Sequence, residues 1–444
     1  MSKQVVERLR QPLCVALVGR VSSGKSTLLN ALLDTAISPT NGRECTEVVY
    51  LFRHGRWESA VAWPRDGSAA QTVDFTNLGS GLPLPATEIR RVDVVLPVPR
   101  LEQSILIDTP GLASTQTHKS ALTERLLSDT SDAAVRADAV LFCLNGPLKD
   151  DESAAVSAFK HGSGGSRLSS GTALGVLTKA DMIGLDRRHA WKNAKELAQT
   201  MASQHTDLFA TVVPVIGLLA QTANTGALRE QHARDLAELA RAWHAGDVTA
   251  ALMHGEMFQA HPGPLSADAR RSLLDLLGLH GIGVLIEELQ GGQPAHAAAL
   301  TAVARNASGL IRLTSALDNA LDSRSDVLKA AAALEQLQLH AGRAGEVGLS
   351  GQAQELLDRP EMFPVRVIEM ARRLAAGTVR PPDELAAQAW MAITTGLPAT
   401  ASADAMRHAT AWRNWAALTD VRGNAVARVM VRAWQLAVDG KRSP

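Results

Sequence analysis

The chain has 444 residues, too many for one ordinary compact domain, and its 46% hydrophobic content is that of a globular protein with two or three cores. Its 45 Lys plus Arg balance 45 Asp plus Glu, so no global field draws it to nucleic acid or acidic lipid, and any such attraction is local. Three scattered cysteines (Cys14, Cys45, Cys143) form no CxxC pair, and no stretch reaches the roughly 18 uninterrupted apolar residues of a membrane span. A reduced cytoplasmic setting is expected, with the protein soluble or at most peripheral at the inner face of the cell membrane.

Residues 1–12 read as a short amphipathic helix ending at Pro12. A buried strand over 14–18 follows, then a turn, then a helix from about Lys25. Gly19, Gly24, Lys25 and Ser26 stand in the GxxxxGK[ST] spacing of a phosphate loop. The glycines let successive N–H groups turn inward around a phosphate, and the helix that follows aims its positive end at the same anion. Lys25 supplies a point charge to the β- and γ-phosphates, and the Ser26 hydroxyl suits a Mg²⁺ ligand. This loop alone leaves the nucleotide open.

A Pro, Asn and Gly-rich loop leads to Thr46, placed as is the threonine that closes over Mg²⁺ and the γ-phosphate in nucleotide switches. Between 53 and 103, short apolar runs and turn signals predict hairpins that extend the sheet edge. SILIDTPGL then reads as a buried strand ending at Asp108, an acidic residue suited to the Mg²⁺ shell through water, with Gly111 able to sense the γ-phosphate. Residues 114–135 are expected to form the segment that moves. Strands over 137–146 and 172–181 follow, separated by a helix over 149–160 and a Ser/Gly loop without evident chemistry.

The last of those strands ends in Thr178, Lys179 and Asp181. A carboxylate at Asp181 accepts both N1–H and N2–H₂ of guanine, whereas adenine offers an unprotonated N1 that it repels. The aliphatic stem of Lys179 can lie over the base. TKAD therefore answers the nucleotide question in favour of GTP. A further strand over 211–220 ends where a fifth guanine loop would sit, near Ile216 and Gly217. The fold class is α/β: a doubly wound, mainly parallel sheet with every motif at a strand's carboxyl end, joined to an elongated helical neck or stalk.

The expected division is an N-terminal helix (1–12), a nucleotide domain (13–223), its helical extension (224–289) and a helical stalk (290–444). The extension includes a helix with Ser266 as N-cap that stops at Gly278. QGGQP, 290–294, reads as the boundary. One helix is expected from 295 to about 341, spanning roughly 65 to 70 Å at about 1.5 Å per residue. Pro360 and Pro364 are expected to break the helix around them. A final helix over 403–438 carries Trp412, Trp415 and Trp434 with five arginines. That pattern reads either as bundle core with a solvated back or as a membrane-surface face.

With GRVSSGKST, Thr46, DTPG and TKAD in order, the first half resembles the GTPase domain of the dynamin superfamily. GRECTEVVYLFRHG, VVPVIGLLA and LLDLLGLHGI are most similar to actinobacterial dynamin-like proteins of the isoniazid-inducible type. The resemblance implies nucleotide binding by Gly19, Ser22, Ser23, Gly24, Lys25, Ser26, Thr27, Asp108, Gly111, Thr178, Lys179 and Asp181. It implies hydrolysis of GTP to GDP through Ser22, Lys25, Ser26 and Thr46, with Mg²⁺ held by Ser26, Thr46 and Asp108. It also implies pairing of nucleotide domains with a second copy or a paralogous partner, a peripheral lipid surface, and no nucleic acid.

Two features depart from the family pattern. Val21 stands where many members carry a polar residue that orients the attacking water, leaving the backbone near Thr46, Ser22 or a partner to do so, with Arg20 and Arg43 as candidate charge donors. The region after 290 is also short for a stalk and has no evident apolar paddle. The alternative function is a soluble regulatory GTPase that binds a protein or RNA without touching lipid.

Overall fold

The computed structural model describes residues 10–37, 48–75, 78, 81–110, 137–150, 152–153, 173–184, 189–206, 208–320, 326–327, 329–331, 333–334, 337, 341, 347–375, 377–394, 397 and 400–438. Thr46, Gly111, Arg43, the first nine residues, the segment 114–135 and the Ser/Gly loop lie outside them.

The run LCVALVG forms strand β1 (Leu13–Gly19), flanked by β6 (Ser104–Asp108) and β7 (Ala139–Leu144), both parallel to it. Sandwiched between neighbours and covered on both faces, it has almost no polar side chain, as a central parallel strand requires. Beyond β7 come β8 (Ala173–Leu177) and β9 (Thr211–Pro214), again parallel. On the other side the sheet continues through β2 (Tyr50–His54), β5 (Ile89–Leu96), β3 (Ser59–Pro64) and β4 (Gln71–Thr72), giving the order β4-β3-β5-β2-β6-β1-β7-β8-β9. The expected edge hairpins are present: β3 pairs antiparallel with β4 and β5, and β2 meets β6 antiparallel.

Alternate residues of each strand feed two cores. Ala16, Val18, Ile107, Val140 and Phe142 face one, and Val15, Leu17, Leu106, Leu141 and Val176 the other. The second is capped by α1 (Lys25–Leu32), while the small helix α2 (Arg100–Gln103) precedes β6. The first is capped by α3 (Ala190–Gln204), α5 (Glu230–Ala242) and α8 (Ala267–Gln290), with α4 (Gly217–Asn224), α6 (Ala245–Ala251) and α7 (Gly255–Ala260) between them. Ser266 caps α8 as expected, accepting from Ala269 N, and the helix is interrupted at Gly278 before it resumes.

Several expected elements are corrected. The strand predicted over 211–220 ends at Pro214, because Gly217 opens helix α4. The single helix predicted from 295 is broken into α9 (Ala297–Ala307) and α10 (Leu310–Ala320). Gly309 between them has φ 81°, and a Cβ there would lie 2.3 Å from the Pro214 carbonyl oxygen, so only glycine passes. The turn at 290–294 does not part the cores: Leu300 and Ala304 belong to the first and Leu310, Leu313 and Leu317 to the second. The chain thus crosses from one face of the sheet to the other around the β9 edge, where Ile216 N donates to Ser308 O. An Arg100–Asp318 ion pair at 2.8 Å fastens α10 further along.

After α11 (Val347–Leu357), Pro364 does not break a helix but lies in the first turn of α12 (Phe363–Ala375), where its missing N–H costs nothing. Helices α12, α13 (Asp383–Thr394), α14 (Ser402–Ala416) and α15 (Val421–Val438) enclose a third core. The predicted final helix is therefore two, α14 and α15, packed as a hairpin. Trp412 and Trp434 are buried in this core while Arg407, Arg413, Arg422, Arg428 and Arg432 are on its outer side, the arrangement of bundle core with a solvated back.

Candidate functional site

The phosphate loop lies at the carboxyl end of β1. Gly19 is pinched between strands: a Cβ there would fall 2.5 Å from the Cys143 carbonyl oxygen and 2.7 Å from Ser23 Oγ. Ser22 and Gly24 both take positive φ, 61° and 88°, which turns the loop before α1 begins at Lys25. Gly24 at the N-cap has no side chain to cap α1, so among the described residues no cap competes with an anion for its first N–H groups. Thr27, one turn into α1, lies 3.4 Å from where a Cβ on Gly217 would be, seating the fifth loop against the first.

Lys25 is buried and folds back along the loop, its Nζ donating to Gly19 O at 3.0 Å and Arg20 O at 3.2 Å. Burial holds it below the ordinary ammonium range, with Asp108 pulling the other way. Asp108 ends β6 beside Leu17 in the strand register, and burial pushes its carboxyl up to about 6 against the pull of Lys25. Its Oδ1 is buried without a hydrogen-bond partner among the described residues. Thr109, next along, donates its hydroxyl to Leu17 O at 2.7 Å and so fixes the strand end.

Thr178, at the end of β8, ties the phosphate loop to the base loop. Its hydroxyl donates to Ser23 O at 2.5 Å and lies 2.8 Å from Leu144 O, while its backbone N–H already supplies Leu144 O at 2.7 Å. The single hydroxyl proton therefore belongs with Ser23 O. Lys179 is exposed and takes a left-handed conformation, φ 51° and ψ 38°, which starts the turn that carries Asp181. Ala180 N donates to Val215 O, joining this turn to the end of β9.

Gly19, Ser22, Ser23, Gly24, Lys25, Ser26, Thr27, Asp108, Thr178, Lys179 and Asp181 are thus gathered at one end of the sheet. Thr46 and Gly111 lie outside the described residues. Sequence reading placed a fifth guanine loop near Ile216 and Gly217 but assigned no role to the next residue, Leu218, an apolar side chain 37% exposed beside the base loop, and it missed Gly278, where a Cβ would lie 3.9 Å from Asp181 Oδ2. His280 is close enough to feel Asp181 and Glu287, but burial dominates and holds its imidazole below the ordinary range. The GLHG string at the α8 interruption is the signal for Gly278, and nothing in it points to a base.

This architecture and loop define a phosphate-loop α/β protein. The dynamin family model matches residues 15–137. The chain is similar to the isoniazid-induced protein IniC of Mycobacterium tuberculosis, in two strains, at 34% identity over 342 residues, covering 74% of this chain and 67% of IniC. It is also similar to a bacterial dynamin-like protein of Nostoc punctiforme, 27% identical over 114 residues, covering 22% of this chain and 16% of that protein. Among solved structures, one described as an oligomerised bacterial dynamin pair for long-range sensing and tethering of membranes has 14% identity and a TM-score of 0.35. It covers 99% of this chain and 70% of its own, and a likeness that distant says nothing of how this chain assembles. The chain belongs to the dynamin family, a family of GTPases.

Proposed function

We propose that this protein hydrolyses GTP to GDP and phosphate. The observation that carries the reading is the junction of three motifs: buried Lys25, the buried Asp108 oxygen that has no partner among the described residues, and the Thr178 hydroxyl that holds the base loop to Ser23. In this reading Lys25 leaves the Gly19 and Arg20 carbonyls for the β- and γ-phosphates, and the N–H groups at the start of α1 share the charge. Asp181 accepts from guanine N1–H and N2–H₂ under the Lys179 stem.

The donor set fits Mg²⁺, since hard oxygens suit it and the bare Asp108 Oδ1 needs a hydrated cation or a water. Ser26, Asp108 through water, and Thr46 would hold it, and when bound it supplies charge neutralisation of the transferred phosphoryl group. Val21 is 54% exposed and has no group to orient water. Ser22, the backbone near Thr46, or a residue of a second copy does so.

We further propose that the protein works as an assembly at an anionic membrane surface. Support comes from the α14–α15 turn, where Leu418 and Val421 are each 87% exposed with Arg413 and Arg422 close in sequence and exposed. Aliphatic side chains flanked by arginines suit the boundary between acyl chains and acidic headgroups. Among the described residues no helix is long and apolar enough to cross a membrane.

Turnover per molecule, measured against protein concentration with and without acidic vesicles, tests both parts. Lys25→Ala is expected to reduce GTP turnover to background, and wild-type-like turnover in that variant removes the GTPase assignment. A rate independent of concentration and of lipid favours the soluble switch. Leu418→Asp with Val421→Asp is expected to abolish co-sedimentation with acidic vesicles while basal turnover is kept.

A further inference from the structure

Helix α8 is interrupted at one residue. Gly278 has φ 62° and ψ 173°, a conformation that residues with a Cβ rarely adopt. The interruption is supported from outside: Thr222 on α4 donates its hydroxyl to Leu276 O, the carbonyl whose in-helix partner lies beyond the break. Three residues on, Gly281 lets α8 press onto α4, since a Cβ there would lie 2.9 Å from Leu219 Cδ1. Leu277 and Leu279 on either side are buried. These contacts bring Gly278 to the base loop, with its Cβ position 3.7 Å from Leu218 Cδ2 and 3.9 Å from Asp181 Oδ2. Leu218 is partly bare although its neighbours Gly217 and Leu219 are buried.

We infer that the α8 interruption is the outer wall of the guanine pocket: Leu218 covers the purine face turned away from the Lys179 stem, and Gly278 sets the position of Asp181. An apolar side chain left bare beside a carboxylate that reads a flat heterocycle gains from covering it, and the break at glycine is what lets α8 come so near. The inference rests on the GTP reading above. It makes Leu218 a binding residue common to all purines and Gly278 a positioning residue for guanine alone.

The full chain is titrated with GDP and with IDP, which lacks the exocyclic amine. Leu218→Ala is expected to weaken both on the order of tenfold and to leave their ratio unchanged. Gly278→Ala is expected to lower the preference for GDP over IDP, with no further loss in an Asp181→Ala background. Affinities of Leu218→Ala within twofold of wild type overturn the wall, and an unchanged preference in folded Gly278→Ala overturns the positioning role. If Gly278→Ala does not fold, Thr222→Val, which removes the hydroxyl that supports the interruption at Leu276 O, takes its place, and an unchanged preference there overturns the positioning role. Wild-type protein that binds neither nucleotide overturns the GTP reading itself, and is distinguished from failure of the wall by that result.

Discussion

At the scale of residues, one hydroxyl does the work of a tether. Thr178→Val keeps the shape of the side chain but leaves Ser23 O buried without its donor. The expected cost is about 1–3 kcal/mol of stability, read by denaturant unfolding, together with weaker nucleotide binding because the phosphate and base loops are no longer joined. His280 gives a pH dependence of defined sign. Its folded imidazole lies below the ordinary 6.5, so the unfolded chain binds the proton first and stability is lost as pH falls below 6.5. The thermal midpoint of His280→Gln is expected to drop less than that of wild type between pH 7.5 and the acid side of that window. Lys25, Asp108 and Asp181 are legible in the sequence alone, because spacing along the chain fixes their roles. Leu218 is legible only as the neighbour of the expected fifth guanine loop and Gly278 not at all, because its relation to Asp181 arises only when α8 folds back onto α4.

At the scale of elements, the strands are legible because buried parallel strands read as unbroken apolar runs. The long helices are misread for a related reason: apolar periodicity continues across a break when both pieces face cores. Yet both breaks have signals. Ser308–Gly309 is a glycine stop, and Asp420 is an N-cap whose carboxylate accepts from Gly423 N at 2.8 Å. Within the bundle, Gln388 on α13 joins three helices. Its Oε1 accepts from the indole N–H of Trp412 at 3.1 Å and of Trp434 at 3.2 Å, and its amide pairs with His408 Nδ1 at 3.1 Å. Gln388→Leu strands two buried N–H groups, and a loss of about 2–4 kcal/mol is expected in chemical unfolding followed by tryptophan fluorescence.

At the scale of the whole molecule, composition and motif order are enough for the α/β class but not for how the helical part attaches. A boundary at 290–294 looks natural in sequence, yet the helices beyond it fill both cores of the sheet. What decides this is a contact of long sequence separation: the chain rounds the β9 edge at Ser308–Gly309 and hydrogen-bonds Ile216. That strap has a mechanical consequence. Tension applied to the helical part meets the Arg100–Asp318 ion pair and the buried side chains of α10 first, and reaches Ser308, one hydrogen bond from Ile216, only when those yield. A load that gets past those anchors arrives one residue from Gly217, which rests on Thr27 beside the phosphate loop, so the strap joins the far end of the chain to the nucleotide end of the sheet.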